Sequence, residues 1–173
     1  MLYLLDANVL ITANNHYYPL DSVPEFWEWL LHMAEESRVK IPLEIFEEIK
    51  DGPTDNAKDL LFGWLQDDAV KTALLLDESV DGALVQEVIT QGYAPDLSDT
   101  ELELLGRDPF LVAYALAAPE ARVVVTSEVS KPKRQRQNRH LPDVCQSVGV
   151  QCCDPFALNR ALGFRTDWKT KKS

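Results

Sequence analysis

The opening of this chain constrains its fold more than any other segment. Leu2-Tyr-Leu-Leu5 is an unbroken apolar run of strand length that stops at Asp6. A strand without polar alternation has no solvent face, so it belongs inside a parallel sheet covered on both sides. In open α/β folds, ligands collect beyond the carboxyl ends of such strands. Asp6 and Asn8 follow that end directly, ahead of a second apolar run, Val9-Leu-Ile11. Asp6 has two readings at this stage: a cap for the turn into a helix, or an acid placed for metal or phosphate chemistry.

The same alternation continues downstream. Behind Pro24, Phe26, Trp29, Leu30, Met33 and Ala34 form one apolar stripe at helical spacing, which predicts a helix ending near Ser37. Residues 39–41 read as a short strand. Pro42 suits the first turn of a helix to about Lys50, closed by Gly52-Pro53. Residues 55–66 and 79–91 read as helices and 92–95 as a loop. Ser98 and Glu101 have the spacing of a capping box, which predicts a helix over 99–105. Asp108-Pro109 opens a helix to Ala118 that is apolar on all sides and therefore buried. Val123-Val-Val125 is a buried strand, residues 149–152 offer a last strand, and Asp154-Pro155 opens a final helix to about Leu162. The pattern predicts an α/β domain over residues 1–165 with a parallel sheet covered on both faces, and a frayed tail over 166–173.

No apolar stretch approaches the ~20 residues needed to cross a membrane. The N-terminus lacks a secretory basic segment, and three cysteines, an odd number, fit a reducing cytoplasm. The net charge of −11 hides a division. Residues 1–120 hold 24 acids and 6 bases, a net −18, whereas residues 121–173 hold 4 acids and 11 bases, a net +7. Lys131, Lys133, Arg134, Arg136 and Arg139 concentrate the basic charge in one loop, followed by His140. Such a cluster suits phosphates; a solvated loop or a contact for an acidic partner explains it as simply.

The acids that matter follow predicted strands or open predicted helices: Asp6, the acids of the helix at 42–50, Asp108 and Glu128. A parallel sheet gathers such points at one edge. Crowded carboxylates repel unless a cation sits between them, and hard ions such as Mg²⁺ and Mn²⁺ prefer oxygen donors. Asp-Pro-Phe occurs twice, at 108–110 and 154–156, and in both places Asp fits the N-cap and Pro the first helical position. Asp154 is read as a cap alone. Helical geometry does not choose among Glu44, Glu47 and Glu48, which all lie away from Ile45, Phe46 and Ile49. His140, Cys145, Cys152 and Cys153 match no usual zinc spacing and read as structural. Tyr17, Tyr18, Trp27 and Trp29 read as packing residues rather than base-stacking platforms.

Four segments in order resemble the PIN-domain family of metal-dependent ribonucleases, which includes the VapC-type toxins of toxin–antitoxin pairs. They are Tyr3-Leu-Leu-Asp-Ala-Asn-Val-Leu-Ile11, Ile41-Pro-Leu-Glu-Ile-Phe-Glu-Glu-Ile49, Asp108-Pro-Phe-Leu-Val-Ala-Tyr-Ala115 and Val124-Val-Thr-Ser-Glu128. The resemblance implies a PIN-like three-layer α/β/α domain. It makes Asp6, Glu48, Asp108 and Glu128 the catalytic, metal-holding set, with Asn8 and Thr126 in support. Glu128 stands where the family more often has Asp. The segment Leu141-Pro-Asp-Val-Cys145 and the closing helix are similar to a PIN-like subfamily whose biology is mostly unassigned. The resemblance further implies an Mg²⁺ or Mn²⁺ endoribonuclease acting on RNA, a cytoplasmic toxin with an antitoxin partner, and a homodimer. The basic loop would then hold the RNA backbone. No histidine is placed as a general base. A dehalogenase-type phosphatase also begins with an acid after an apolar strand, but it uses Asp-x-Asp, and Asn8 stands in the second position. The rival of another class is a catalytically inactive PIN-like module that binds a protein partner.

Overall fold

A computed structural model describes residues 1–51 and 56–171. β1 (Leu2–Leu5) runs into α1 (Ala7–Thr12), which continues as a π-helical turn, Ala13–Tyr17. α2 (Pro24–Glu35) leads to β2 (Val39–Lys40). Then come α3 (Leu43–Asp51), α4 (Asn56–Gln66), α5 (Asp68–Leu74), α6 (Gly82–Glu87) with a second π-helical turn, Val88–Tyr93, then α7 (Asp99–Leu104) and α8 (Asp108–Leu116). β3 (Arg122–Val125), α9 (Leu141–Val148), β4 (Gln151–Cys153) and α10 (Pro155–Ala161) complete the chain, before a 3₁₀ turn, Trp168–Lys171.

The strands form one all-parallel sheet in the order β2-β1-β3-β4. Tyr3 is in register with Val39, Leu5 with Val125, and Val125 with Cys153. This is the expected α/β architecture, with a central parallel sheet in the manner of a three-layer α/β/α fold. The order also decides where a site can form. The chain leaves β1 toward β2 on one side and later enters β3 on the other, so the crossovers diverge between β1 and β3. Asp6 stands at the end of β1, its N–H donating to Val125 O at 2.9 Å. Thr126 stands at the end of β3, its N–H donating to Cys153 O at 3.1 Å.

Leu4, Leu5, Val124 and Val125 are fully buried, and α8 buries Leu111, Val112, Ala113, Tyr114 and Ala115, as a helix apolar on all sides must. α8 packs on β1, β3 and α9, while α2 packs on β2 and α5. Trp27 and Trp29 are core residues, and Tyr18 stacks on Phe26 with ring centres 4.2 Å apart. Tyr17 packs at the surface rather than in the core, its ring edge to face with Phe156 while 51% exposed.

The capping box is present, with Glu101 N donating to Ser98 Oγ and Ser98 N to Glu101 Oε2. Three expectations need correction. The helix expected over 79–91 starts later and runs on through Gly92 and Tyr93, because a π-turn absorbs the residues that read as a loop. α5 has no counterpart among the expected elements; Asp67 caps it, accepting from Ala69 N and Val70 N, and Val70 and Leu74 seal it into the core. α9 has no counterpart either; Pro142 lies in its first turn and Gly149, at φ 75°, closes it in the left-handed region. Within the expected tail, Trp168 stacks on His32 at 5.1 Å and its Nε1 donates to Glu25 O, while Thr166, Asp167, Lys169 and Thr170 are exposed. The expected closure by Gly52-Pro53 lies outside the described residues, as do the last two residues of the tail.

Candidate functional site

Asp6 occupies the N-cap position of α1, yet its carboxylate does not cap that helix. Asp6 Oδ2 instead accepts from Asn8 Nδ2 at 2.5 Å and from Thr126 Oγ1 at 2.7 Å. Asn8 Oδ1 accepts from Ser127 N at 2.8 Å, and Thr126 Oγ1 from Glu128 N at 3.1 Å. These bonds tie the ends of β1 and β3 together. They also show why an amide suits position 8: it donates to one partner and accepts from the other, which a second carboxylate would not do. Asp6 is buried, and burial pushes its carboxyl up to about 6. The bond from Thr126 opposes that rise, while the charges of Glu128 and Glu48 add to it.

The two Asp-Pro-Phe tripeptides separate here. Asp154 is the N-cap of α10, and its Oδ1 accepts from Ala157 N at 2.8 Å. Asp108 is not an N-cap. It is the first residue of α8, Arg107 precedes it, and no side chain caps the helix. The cap reading of Asp108 is therefore corrected. The carboxyl of Asp108 is pushed up to about 8, first by burial and then by the charges of Asp6, Glu128 and Glu48.

On α3, the three glutamates go to different partners. Glu47 Oε2 pairs with Arg107 Nη1 at 2.8 Å, and the same nitrogen donates to Glu44 O at 2.9 Å. Glu44 Oε1 faces the Tyr114 hydroxyl at 3.5 Å. Glu48 is the one whose charge reaches Asp6 and Asp108. Partial burial holds its own carboxyl above the usual range, against the pull of Arg107. Glu128 has two tasks. Its Oε2 accepts from Leu141 N, in the first turn of α9, at 2.8 Å, while its charge bears on Asp6 and Asp108. The sequence places no histidine as a general base, yet the fold brings one beside this acid: His140 Nδ1 lies 3.7 Å from Glu128 Oε2.

Tyr93 is a site residue that the sequence does not disclose. Its hydroxyl is buried and has no hydrogen-bond partner among the described residues. Burial, followed by the charges of Asp108, Glu128, Cys145 and Asp6, keeps it protonated. Residue 93 reads as loop, and only the π-turn brings it here; π-turns frequently mark functional sites.

Glu48 and Glu128 both bear on Asp6 and Asp108, but the four acids are not in ligating geometry. Among the described residues, no group of three or more His, Cys, Asp or Glu side chains is arranged to hold a metal ion. The donor set fits a hard divalent cation in chemistry, being all carboxylate. The cysteines border the acids: Cys145, on α9, is buried and feels the charge of Asp108, and Cys152, on β4, feels those of Asp6 and Glu128.

The basic loop divides in two. Arg136 is bound to Glu101 Oε1 at 2.7 Å and to Asp96 Oδ1 at 2.8 Å. Arg139 donates to the carbonyls of Gly92 and Asp143 and to Ser147 Oγ. These two arginines pin the loop to the fold. Lys131, Lys133 and Arg134 are exposed.

A family model described as a domain of unknown function (DUF4411) matches residues 3–166. The chain belongs to that family. The match runs from β1 to beyond α10 and includes Asp6, Asn8, Glu48, Tyr93, Asp108, Thr126 and Glu128. No curated protein and no solved structure matches the chain. Among the described residues, no helix is long and apolar enough to cross a membrane.

Proposed function

We propose that this chain is a PIN-like ribonuclease dependent on Mg²⁺ or Mn²⁺. One observation carries the reading. Asp108 has the sequence of a helix cap but does not cap, and its carboxyl is instead raised by burial and by three other acids at the switch point of the sheet. Acids brought together at that cost to the fold are the mark of a site rather than of a surface. Asp6, Glu48 and Asp108 would hold the ion, with Glu128 assisting. The ion supplies Lewis acidity and charge neutralisation for hydrolysis of a phosphodiester. Asn8 and Thr126 hold the Asp6 carboxylate in place, and the Tyr93 hydroxyl is a donor for a bound oxygen. The exposed Lys131, Lys133 and Arg134 serve the RNA backbone. The biological setting that goes with this reading is a cytoplasmic toxin, restrained by an antitoxin and acting as a homodimer.

The test is cleavage of mixed-sequence RNA by the purified chain. We expect cleavage in Mg²⁺ or Mn²⁺, none in EDTA, and a loss of about 10²-fold or more in Asp6→Asn, the scale of losing one preorganised charge-stabilising group. Activity that persists in chelator, or an Asp6→Asn chain as active as wild type, refutes the reading.

A further inference from the structure

Beside the acids lies a cleft of about 420 Å³, within the usual range for small-ligand pockets, roughly 300–1,000 Å³. Its walls come from α1 and its π-turn, from α2, from the segment after β3, and from α10. Two of these segments also build the acid site. Val9 follows Asn8, and Ser127 and Val129 flank Glu128, so the cleft shares these two segments with the acid site, although none of the four acids lines it.

Four aromatic rings line it: Tyr17, Tyr18, Phe26 and Phe156. Tyr17 and Phe156 meet edge to face at 5.1 Å, and they remain 51% and 41% exposed. Polar groups face the same space besides the tyrosine hydroxyls. Ser127 Oγ is buried without a hydrogen-bond partner among the described residues, Asn159 is a buried amide whose Nδ2 donates to the Tyr18 hydroxyl at 3.4 Å and leaves its Oδ1 as an acceptor, and Thr12 lies at the wall. Among the described residues, no lysine, arginine or histidine lines the cleft, and the one acid that does, Asp154, is spent on capping α10. The walls therefore repel a phosphate and suit an uncharged planar group with hydrogen-bonding edges.

We propose that this cleft is a nucleobase subsite, receiving one unstacked base of a single-stranded RNA whose adjacent phosphate lies at the acids. Tyr17 and Phe156 stack with the base, and Ser127 and Asn159 meet its polar edge. The proposal deepens the ribonuclease reading and rests on it for the position of the phosphate.

Two experiments on the full chain test it. In the first, uridine, cytidine, adenosine and guanosine are titrated at millimolar concentration in EDTA, with aromatic NMR resonances as the readout. At least one nucleoside should shift Tyr17 and Phe156, and Phe156→Ala should weaken it about tenfold, within the range measured for base stacking. Ser127→Ala should change the preference among the four bases. In the second, RNA is cleaved in Mn²⁺; Phe156→Ala should raise KM about tenfold with kcat held, and a substrate with an abasic position at the cleft should not feel the substitution. Phe156 is exposed enough for the variant to fold, which its melting curve checks. If no nucleoside binds, or if Phe156→Ala cleaves with unchanged KM, the subsite is overturned while the ribonuclease stands. If nucleosides bind at Phe156 but no RNA is cut, the base site stands and the ribonuclease falls. If Phe156→Ala dissociates a dimer and leaves nucleoside binding intact, the cleft belongs to a second copy and the proposal is overturned.

Discussion

Arg136 shows how much a single residue's partners matter. By composition it is one of five basic residues in a loop; in the fold it is bound to Asp96 and Glu101, whereas Lys133 and Arg134 point to solvent. Their substitutions should therefore act differently. Lys133→Gln with Arg134→Gln should flatten the salt dependence of RNA binding, by about 0.7 in log–log slope for each single-strand phosphate that is no longer neutralised. Arg136→Gln should instead lower the thermal midpoint and leave the slope nearly unchanged. A slope that falls with Arg136→Gln as much as with the other two would place that side chain on the RNA.

At the scale of elements, the same three residues begin α8 and α10 and do opposite things. Asp154→Ala removes a cap bond to Ala157 N and should cost about 1 kcal/mol. Asp108→Asn removes a buried charge that caps nothing and that Asp6, Glu128 and Glu48 repel. In EDTA at pH 9 it should melt above wild type, while losing cleavage activity. Urea or thermal unfolding of the two variants decides the matter: a drop in both would make Asp108 a structural residue after all. α3 offers a parallel case. Glu48→Gln should melt above wild type in EDTA, whereas Glu47→Gln, which loses Arg107, should not.

For the whole molecule, the clustered acids predict how stability depends on pH. An acid whose folded pKa lies above its unfolded value binds its proton more tightly when folded. Asp6 rises from 3.8 to about 6 and Asp108 from 3.8 to about 8. Their protonation therefore favours the fold fully below 3.8, and that contribution is lost as pH climbs through about 6 and then about 8. The metal-free thermal midpoint should fall across that window. Mn²⁺ should restore it, most strongly at the alkaline end, where no proton competes for the carboxylates. At a hundredfold excess over Kd the ion should add about 2.7 kcal/mol to wild type and much less to Glu48→Gln. A midpoint that does not fall with pH, or that Mn²⁺ leaves unmoved at pH 8, would show that the acids do not share a site.

The alternation of apolar runs with helical stripes was enough to determine the parallel sheet, the buried α8 and the capping box at Ser98, because burial on one face or on all faces follows from local periodicity. The positions of Asp6, Asp108 and Glu128 at strand ends and a helix start were legible for the same reason. What local pattern does not carry is distance between segments far apart in the chain. Asp6 and Thr126 meet across 120 residues because the sheet sets β1 beside β3. That pairing, and the π-turn that brings Tyr93 to the acids, exist only once the crossovers are packed. Identical Asp-Pro-Phe tripeptides therefore look alike in the sequence and part company in the fold. Asp154 has an amide within reach, and Asp108 is buried with three other carboxylates bearing on it, so tertiary placement and not local propensity decided which acid caps and which sits among other acids.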